Sequence, residues 1–218
     1  RDALLSRGLG YVYKRQGMKV GGEVTPETLD PFGIKVYELT ESCSHIMSKD
    51  KASIKDMYAD ILNLGIIFGV EGRAEALVAG YKSKLKNFKA NLKTLDEGLR
   101  VFVYDSGEDA PFTAGRYAMP TALIEAAGGQ NIMDDFNKSW GSVTWEEVVE
   151  RNPQVVVIVN YGNVTAEQKR EYMMSNPAFK NIAAVKNERF VTLEYVEATP
   201  GPRNIQAVQN LADAFWSN

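Results

Sequence analysis

Five apolar strand-formers in a row, Val155-Val156-Val157-Ile158-Val159, constrain this chain more than any other feature. A strand with one wet face alternates apolar and polar side chains. An unbroken apolar run has to be buried on both faces, as in a central strand of a parallel sheet covered by helices on either side. A second strand is predicted over 99–104. Between the two lie a polar, Gly-containing loop at 105–117, a helix predicted over 120–127 and stopped by Gly128-Gly129, and a Trp140-Gly141 pair. A second helix then opens at Thr144, has Glu147 at capping-box spacing, and is broken by Asn152-Pro153. Downstream, 165–174 reads as a helix behind a cap-like Thr, 189–195 as a strand, and 203–216 as a helix with Ile205, Val208, Leu211, Ala212 and Phe215 on one side. Alternating strands and helices predict an α/β lobe, with a mainly parallel sheet flanked by helices on both faces.

The preceding half reads differently. Residues 33–39 form a predicted strand after a Pro31-Phe32-Gly33 turn, and Thr25-Pro26-Glu27 resembles a helix start. Glu41 to His45 falls where a loop should follow that strand. A helix capped by Ser53 carries Ile54, Met57, Ile61, Leu64 and Phe68 at helical spacing and ends at Gly69. The next helix, 71–95, has Ala74, Leu77, Val78, Tyr81, Leu85, Phe88 and Leu92 on one face and Lys82, Lys84, Lys86 and Lys89 on the other. About 24 residues of helix reach roughly 36 Å, a length suited to a strut between two lobes. Gly80 within it costs about 1 kcal/mol relative to Ala, and is there either for close packing or because it is tolerated.

A single strand cannot make a sheet. Residues 17–70 are therefore expected to be the remnant of a first α/β lobe whose other strands are missing. Residues 71–95 would be the interlobe helix and 96–218 the second lobe. The first sixteen residues stand apart, because Val12-Tyr13-Lys14-Arg15-Gln16 matches the in-frame translation of a transposase sequencing adapter and is expected to be an artefact.

Composition narrows the function classes. Of 218 residues, 44% are hydrophobic and 24% charged, ordinary values for a globular domain. A net charge of −3 argues against a nucleic-acid partner. One cysteine, Cys43, excludes an intramolecular disulfide framework and Cys-rich zinc or iron–sulfur sites. No apolar run approaches the roughly 20 residues of a membrane-spanning helix. Neither a G-x-S-x-G elbow nor a phosphate-binding G-x-x-x-x-G-K-[ST] loop is present, which weighs against the rival from another class, a hydrolase or metal enzyme on an α/β scaffold.

The ordered segments AAGGQNI, SWGSVTWEEVVERNPQVVVIVNYG and EATPGPRN resemble the C-terminal lobe of class III solute-binding proteins. These are the ABC-importer receptors for iron chelates, cobalamin, haem and related metal compounds, and the resemblance runs over 23–216. It implies an extracytoplasmic, monomeric binding protein that performs no covalent chemistry and has no resident cofactor, with iron or cobalt arriving inside its ligand. The protein would be free in a periplasm or held at the outer face of the membrane by a lipid anchor carried outside this chain, since Cys43 lies too far inside the folded region to bear the lipid. Thr144-Trp145-Glu146-Glu147 resembles the segment whose surface glutamate docks on the permease, and Glu146 is the matching position. Helix-end carboxylates also simply favour the positive helix N-terminus.

Ligands of open α/β sheets sit outside the carboxyl ends of the strands. The loops there offer Phe112, Trp140, Tyr161 and Tyr195 as apolar walls, Arg116 and Arg203 as forked donors to negative charge, and Glu108 as a polar contact. Each has a plainer reading: a solvated or locally paired arginine, a strand-end core tyrosine, a solvated acid. His45, the only histidine, forms a C-x-H pair with Cys43 and would be the start of a receptor for a free transition-metal ion. Two ligands do not make a site, and the plain alternative is a loop histidine beside a buried thiol.

Overall fold

The computed structural model describes residues 11–12, 25–45, 48–89 and 98–216. The chain divides into two compact units at Ser48, Ile54 and Gly80. One holds the residues before Lys49 with Lys55–Gly80, and the other holds Lys49–Ile54 with the residues from Tyr81 on.

The second unit is built on a four-stranded, all-parallel sheet. Its strands are β3 (Leu99–Tyr104), β5 (Gly129–Asn131), β7 (Val155–Asn160) and β8 (Phe190–Glu194), in the order β5-β3-β7-β8. Val101 pairs with Val155 and Tyr104 with Ile158, while Val156 pairs with Phe190 and Asn160 with Glu194. All five residues of the apolar run on β7 are 2% exposed or less. Burying each contributes about 1.5–3 kcal/mol relative to leaving it in water.

Alternate side chains of β3 serve opposite faces. Phe102 and Tyr104 join Trp145 and Val148 of α5 (Trp145–Arg151), Met173 of α6 (Ala166–Ser175), and Phe179 in one apolar cluster. On the other face, Val101 approaches Gly129, as do Ile124 of α4 (Met119–Ala126) and Phe215 of α9 (Asn204–Trp216). The indole N–H of Trp216 donates to the Ala127 carbonyl and ties α9 to the end of α4. The lobe is therefore α/β with helices on both faces of a parallel sheet, as the alternation predicts.

Several elements differ from the expected ones. Gly128, at φ +86°, ends α4 alone, and Gly129 already belongs to β5. A Cβ at Gly129 would meet three side chains at 3.0–3.1 Å, so the second glycine makes room for the core. The loop at 105–117 contains a strand, β4 (Phe112–Ala114), paired antiparallel with β6 (Trp140–Ser142). Thr144 accepts from the Glu147 amide, but the Glu147 carboxylate bonds Arg151 instead of closing a capping box. The Thr165–Gln168 box on α6 is complete. Between α6 and β8 a short helix, α7 (Ala183–Lys186), fills the crossover. The strand expected at 189–195 ends at Glu194, and Tyr195 opens a short helix, α8 (Tyr195–Ala198).

The first unit contains α1 (Pro26–Leu29), β2 (Val36–Tyr37), a 3-10 turn (Thr40–His45) and most of α2 (Ile54–Ile67). The strand expected over 33–39 shrinks to Val36–Tyr37 because Gly33 turns the chain at φ +69°. Tyr11–Val12 (β1) pairs parallel to it, although these two residues belong to the adapter-like segment. Asp60 of α2 accepts from the Tyr37 hydroxyl and from the Thr40 amide and hydroxyl, fixing this strand and turn to the helix. Gly69, at φ +65°, follows α2 as expected, while Phe68 and Leu77 are 40% exposed and leave the predicted apolar faces. Helix α3 (Glu71–Lys89) spans the division after Gly80, and the expected continuation to 95 lies outside the described residues. A Cβ at Gly80 would meet nothing within 4 Å, so close packing does not explain this glycine.

Candidate functional site

The carboxyl ends of β3, β7 and β8 carry the residues of interest. Beyond Tyr104 the chain doubles back: Asp105 N–H donates to the Phe112 carbonyl at 3.0 Å, and Phe112 N–H to that of Ser106 at 2.7 Å. Gly107, at φ +87°, makes the turn, and a Cβ there would lie 2.2 Å from the Ala110 carbonyl oxygen. This return lays β4 beside β6 and stacks the Phe112 and Trp140 rings, 6.1 Å apart and 10° from parallel. Their backbones are diagonal neighbours across the ladder, within reach of aromatic side chains.

Arg116 follows directly. Gly115 before it packs so closely on the turn at 136–138 that an added Cβ would lie 2.4 Å from the Lys138 carbonyl oxygen and 2.6 Å from that of Phe136. The Arg116 guanidinium donates to Asn137 at 3.0 Å and lies 3.9 Å from the Asp50 carboxylate. Its side chain keeps 30% of its surface exposed, and its Nε is buried without a hydrogen-bond partner. The local pairing weighed against a ligand role is thus present, with part of the fork still open. Glu108 enters through its backbone rather than its exposed side chain: its carbonyl accepts from the Trp145 indole at 2.5 Å and the Tyr172 hydroxyl at 2.8 Å.

The second group stands on β7 and β8. The Tyr161 and Tyr195 rings stack with centroids 4.5 Å apart and planes 25° from parallel, and Tyr161 is 45% exposed. Beneath them, Asn160 donates to both Glu194 carboxylate oxygens at 3.1 Å. The Lys169 ammonium, on a side chain from α6, donates to the Val159 carbonyl at 2.7 Å and the Tyr161 carbonyl at 3.0 Å. Lys169 is 2% exposed and Asp105 8%. Burial raises the Asp105 carboxyl pKa above the ordinary value, opposed by the Ser106 hydroxyl and the Lys169 charge; burial lowers Lys169, opposed by Asp105. Sequence reasoning missed Lys169. One signal marks it: it lies three residues after Ala166 and four before the buried Met173, on the inner stripe of α6.

The remaining predicted residues are dispersed. Arg203 is exposed just before α9, and among the described residues its side chain has no hydrogen bond or ion pair. Glu146 is exposed in the first turn of α5, whereas its neighbour Glu147 is engaged by Arg151, which also grips Asp135 with both ends of its fork. In the first unit, Cys43 is a buried thiol outside any disulfide, and it donates to the Leu39 carbonyl at 3.5 Å. His45 ends the 3-10 turn, and its side chain lies outside the described residues. Among the described residues, no group of three or more His, Cys, Asp or Glu is placed to hold a metal ion.

Two stacked aromatic pairs, formed by different loops at one end of a parallel sheet, offer flat apolar surface beside hydrogen-bonded carboxylates. Flat apolar walls with a few polar groups beside them are the usual lining of small-molecule sites.

The chain is 28% identical over 170 residues to an uncharacterized ABC transporter substrate-binding lipoprotein of Bacillus subtilis (strain 168), covering 77% of this chain and 52% of that protein. It is 24% identical over 193 residues to a vitamin B12-binding protein of Vibrio vulnificus (strain CMCP6), covering 88% of this chain and 64% of that one. The crystal structure of a periplasmic binding protein from Veillonella parvula superposes with a TM-score of 0.76 at 31% identity, over 86% of this chain and 64% of that one. The chain therefore spans between half and two thirds of the length of these relatives. The sequence pattern of the periplasmic binding proteins matches residues 26–197, most of the chain, and the chain belongs to that family.

Proposed function

We propose that this chain is part of the extracytoplasmic substrate-binding component of an ABC importer, and that its ligand is a metal chelate of the siderophore, corrinoid or haem type. Family membership supports the class of activity. The observation that carries the ligand class is the paired aromatic surface, Phe112–Trp140 and Tyr161–Tyr195, at the carboxyl ends of the strands. Bulky chelates present large apolar or planar faces, and stacked rings meet such faces at little entropic cost. The name of the Vibrio vulnificus relative supports the corrinoid branch of this reading. Arg116, with part of its fork open, and Arg203 would meet acidic groups of the ligand. Glu146, exposed and unencumbered by the Arg151 network, would meet the permease. The protein acts as a monomer on the outer side of the membrane and performs no covalent chemistry.

The test is a thermal-stability screen against ferric hydroxamates, haem, cyanocobalamin, free zinc and free manganese. A ligand at a hundred times its dissociation constant adds about 2.7 kcal/mol. Stabilisation by one chelate and not by the free metals supports the reading. Stabilisation by free metal alone, lost in His45→Ala, refutes it.

A further inference from the structure

A buried lysine in an apolar lobe is unusual unless something specific holds it. Lys169 projects from the inner face of α6 and is 2% exposed. Its ammonium bonds two carbonyls, those of Val159 and Tyr161, which flank Asn160 at the point where β7 becomes a loop. Past that point the chain is lightly held: Gly162 turns at φ +83°, and among the described residues no backbone hydrogen bond reaches Gly162, Asn163 or Val164. Yet the Tyr161 ring keeps a stacked position on Tyr195 while remaining 45% exposed. The Asp105 carboxylate, buried at the end of neighbouring β3, makes no direct ion pair with Lys169 but opposes the lowering of its pKa by burial. Charge-assisted bonds to carbonyls are shorter and stronger than neutral ones, and a planar peptide held at its oxygen restricts rotation about the Cα–C bond of the residue that carries the carbonyl, here Tyr161.

We infer that Lys169 is a positioning residue, an internal strap from α6 that sets the backbone of Tyr161 and so preforms the Tyr161–Tyr195 aromatic wall before ligand arrives. The inference rests on the proposed function for what the wall does, and not for whether the strap exists. Lys169 touches no ligand. Its contribution is preorganisation, which lowers the ordering cost of binding.

The first arm of the test needs no ligand. Stacked rings shift one another's proton resonances, so the aromatic NMR signals of Tyr195 report the wall, and Tyr161→Ala gives their unstacked values. In Lys169→Met the Tyr195 signals should move to those unstacked values. Removing one buried charge strands the other, so Asp105→Asn/Lys169→Met is made alongside and, where the single variant fails to fold, should itself show the unstacked Tyr195 signals. Met173→Ala, a fully buried neighbour one turn along α6, should lower stability and leave the Tyr195 signals in place. Wild-type Tyr195 signals in either folded Lys169 variant overturn the inference, as does an equal change in Met173→Ala.

The second arm titrates cyanocobalamin, haem and ferrichrome. Affinity for the probe that binds should fall about tenfold in Lys169→Met, with no further fall when Lys169→Met is added to Tyr161→Ala. Additive losses overturn the positioning role. If none of the three binds the unaltered protein, the proposed ligand class fails, and the NMR arm still decides the strap.

Discussion

Gly115→Ala tests whether the candidate site depends on a close backbone approach that only glycine allows. The new methyl carbon would lie 2.4 Å from the Lys138 carbonyl oxygen and 2.6 Å from that of Phe136, and neither is the movable end of a side chain. Restoring ordinary contact requires the turn at 136–138 to retreat by about 1 Å, a shift that close-packed interiors absorb poorly. That retreat breaks the bond from the Arg116 amide to the Phe136 carbonyl, now 3.0 Å, and weakens the 3.3 Å bond from Tyr117 to Lys138. Overpacking of this kind costs about 1–3 kcal/mol and each lost hydrogen bond about 1 kcal/mol, so the expected loss is about 2–4 kcal/mol. Urea unfolding followed by tryptophan fluorescence measures it cleanly, because Trp140, Trp145 and Trp216 all lie in the second unit. With a slope of about 2 kcal/mol/M, the midpoint should fall by roughly 1–2 M. A midpoint within about 0.2 M of the unaltered protein refutes the packing argument.

Gly80→Ala is the opposite case: its methyl enters open space on α3, and stability should rise by about 0.5–1 kcal/mol in urea unfolding followed by helical circular dichroism, since Gly80 lies in the first unit and the tryptophans in the second. Glu146→Ala should leave chelate affinity unchanged while lowering stimulation of permease ATPase activity in proteoliposomes, and a loss of chelate affinity would count against its assignment to the docking surface. The hydrogen bond from Arg151 holds the Asp135 carboxyl pKa below the ordinary carboxylate value. Its stabilisation is therefore complete above the unfolded pKa of about 3.9 and is lost as pH falls through the lower folded value. Acid titration should show a shallower loss of stability in Asp135→Asn, by a modest amount because the pair is partly solvated.

The parts of the fold legible in the sequence were those in which one local pattern is decisive. The run at 155–159 could only be a doubly buried strand, and Thr144 and Thr165 mark helix starts that the structure keeps. Strand β5 was illegible because Gly129-Gln130-Asn131 contains no strand-forming side chain; it is a strand because Leu99 and Val101 pair with it and the core leaves room only for hydrogen at Gly129. Strand β4 was hidden in a polar loop because its antiparallel partner, β6, lies 26–30 residues away. At the site, the aromatic residues were nameable individually, but which ring stacks on which depends on strand register. Lys169 was passed over because a lysine in a polar helix ordinarily points to water, and only its place on the stripe with Met173 argues otherwise.

The most direct test of the account is a fluorescence titration with cyanocobalamin, haem and ferrichrome, run in parallel on the unaltered protein and on Trp140→Phe. Trp140 stacks on Phe112 at the carboxyl end of the sheet, whereas Trp145 is buried in the core and Trp216 is bonded to α4. Saturable quenching by one of these chelates, with most of its amplitude lost in Trp140→Phe, is the predicted result. No saturable quenching by any chelate, or quenching that Trp140→Phe leaves intact, would contradict the claim that this end of the sheet receives a metal chelate.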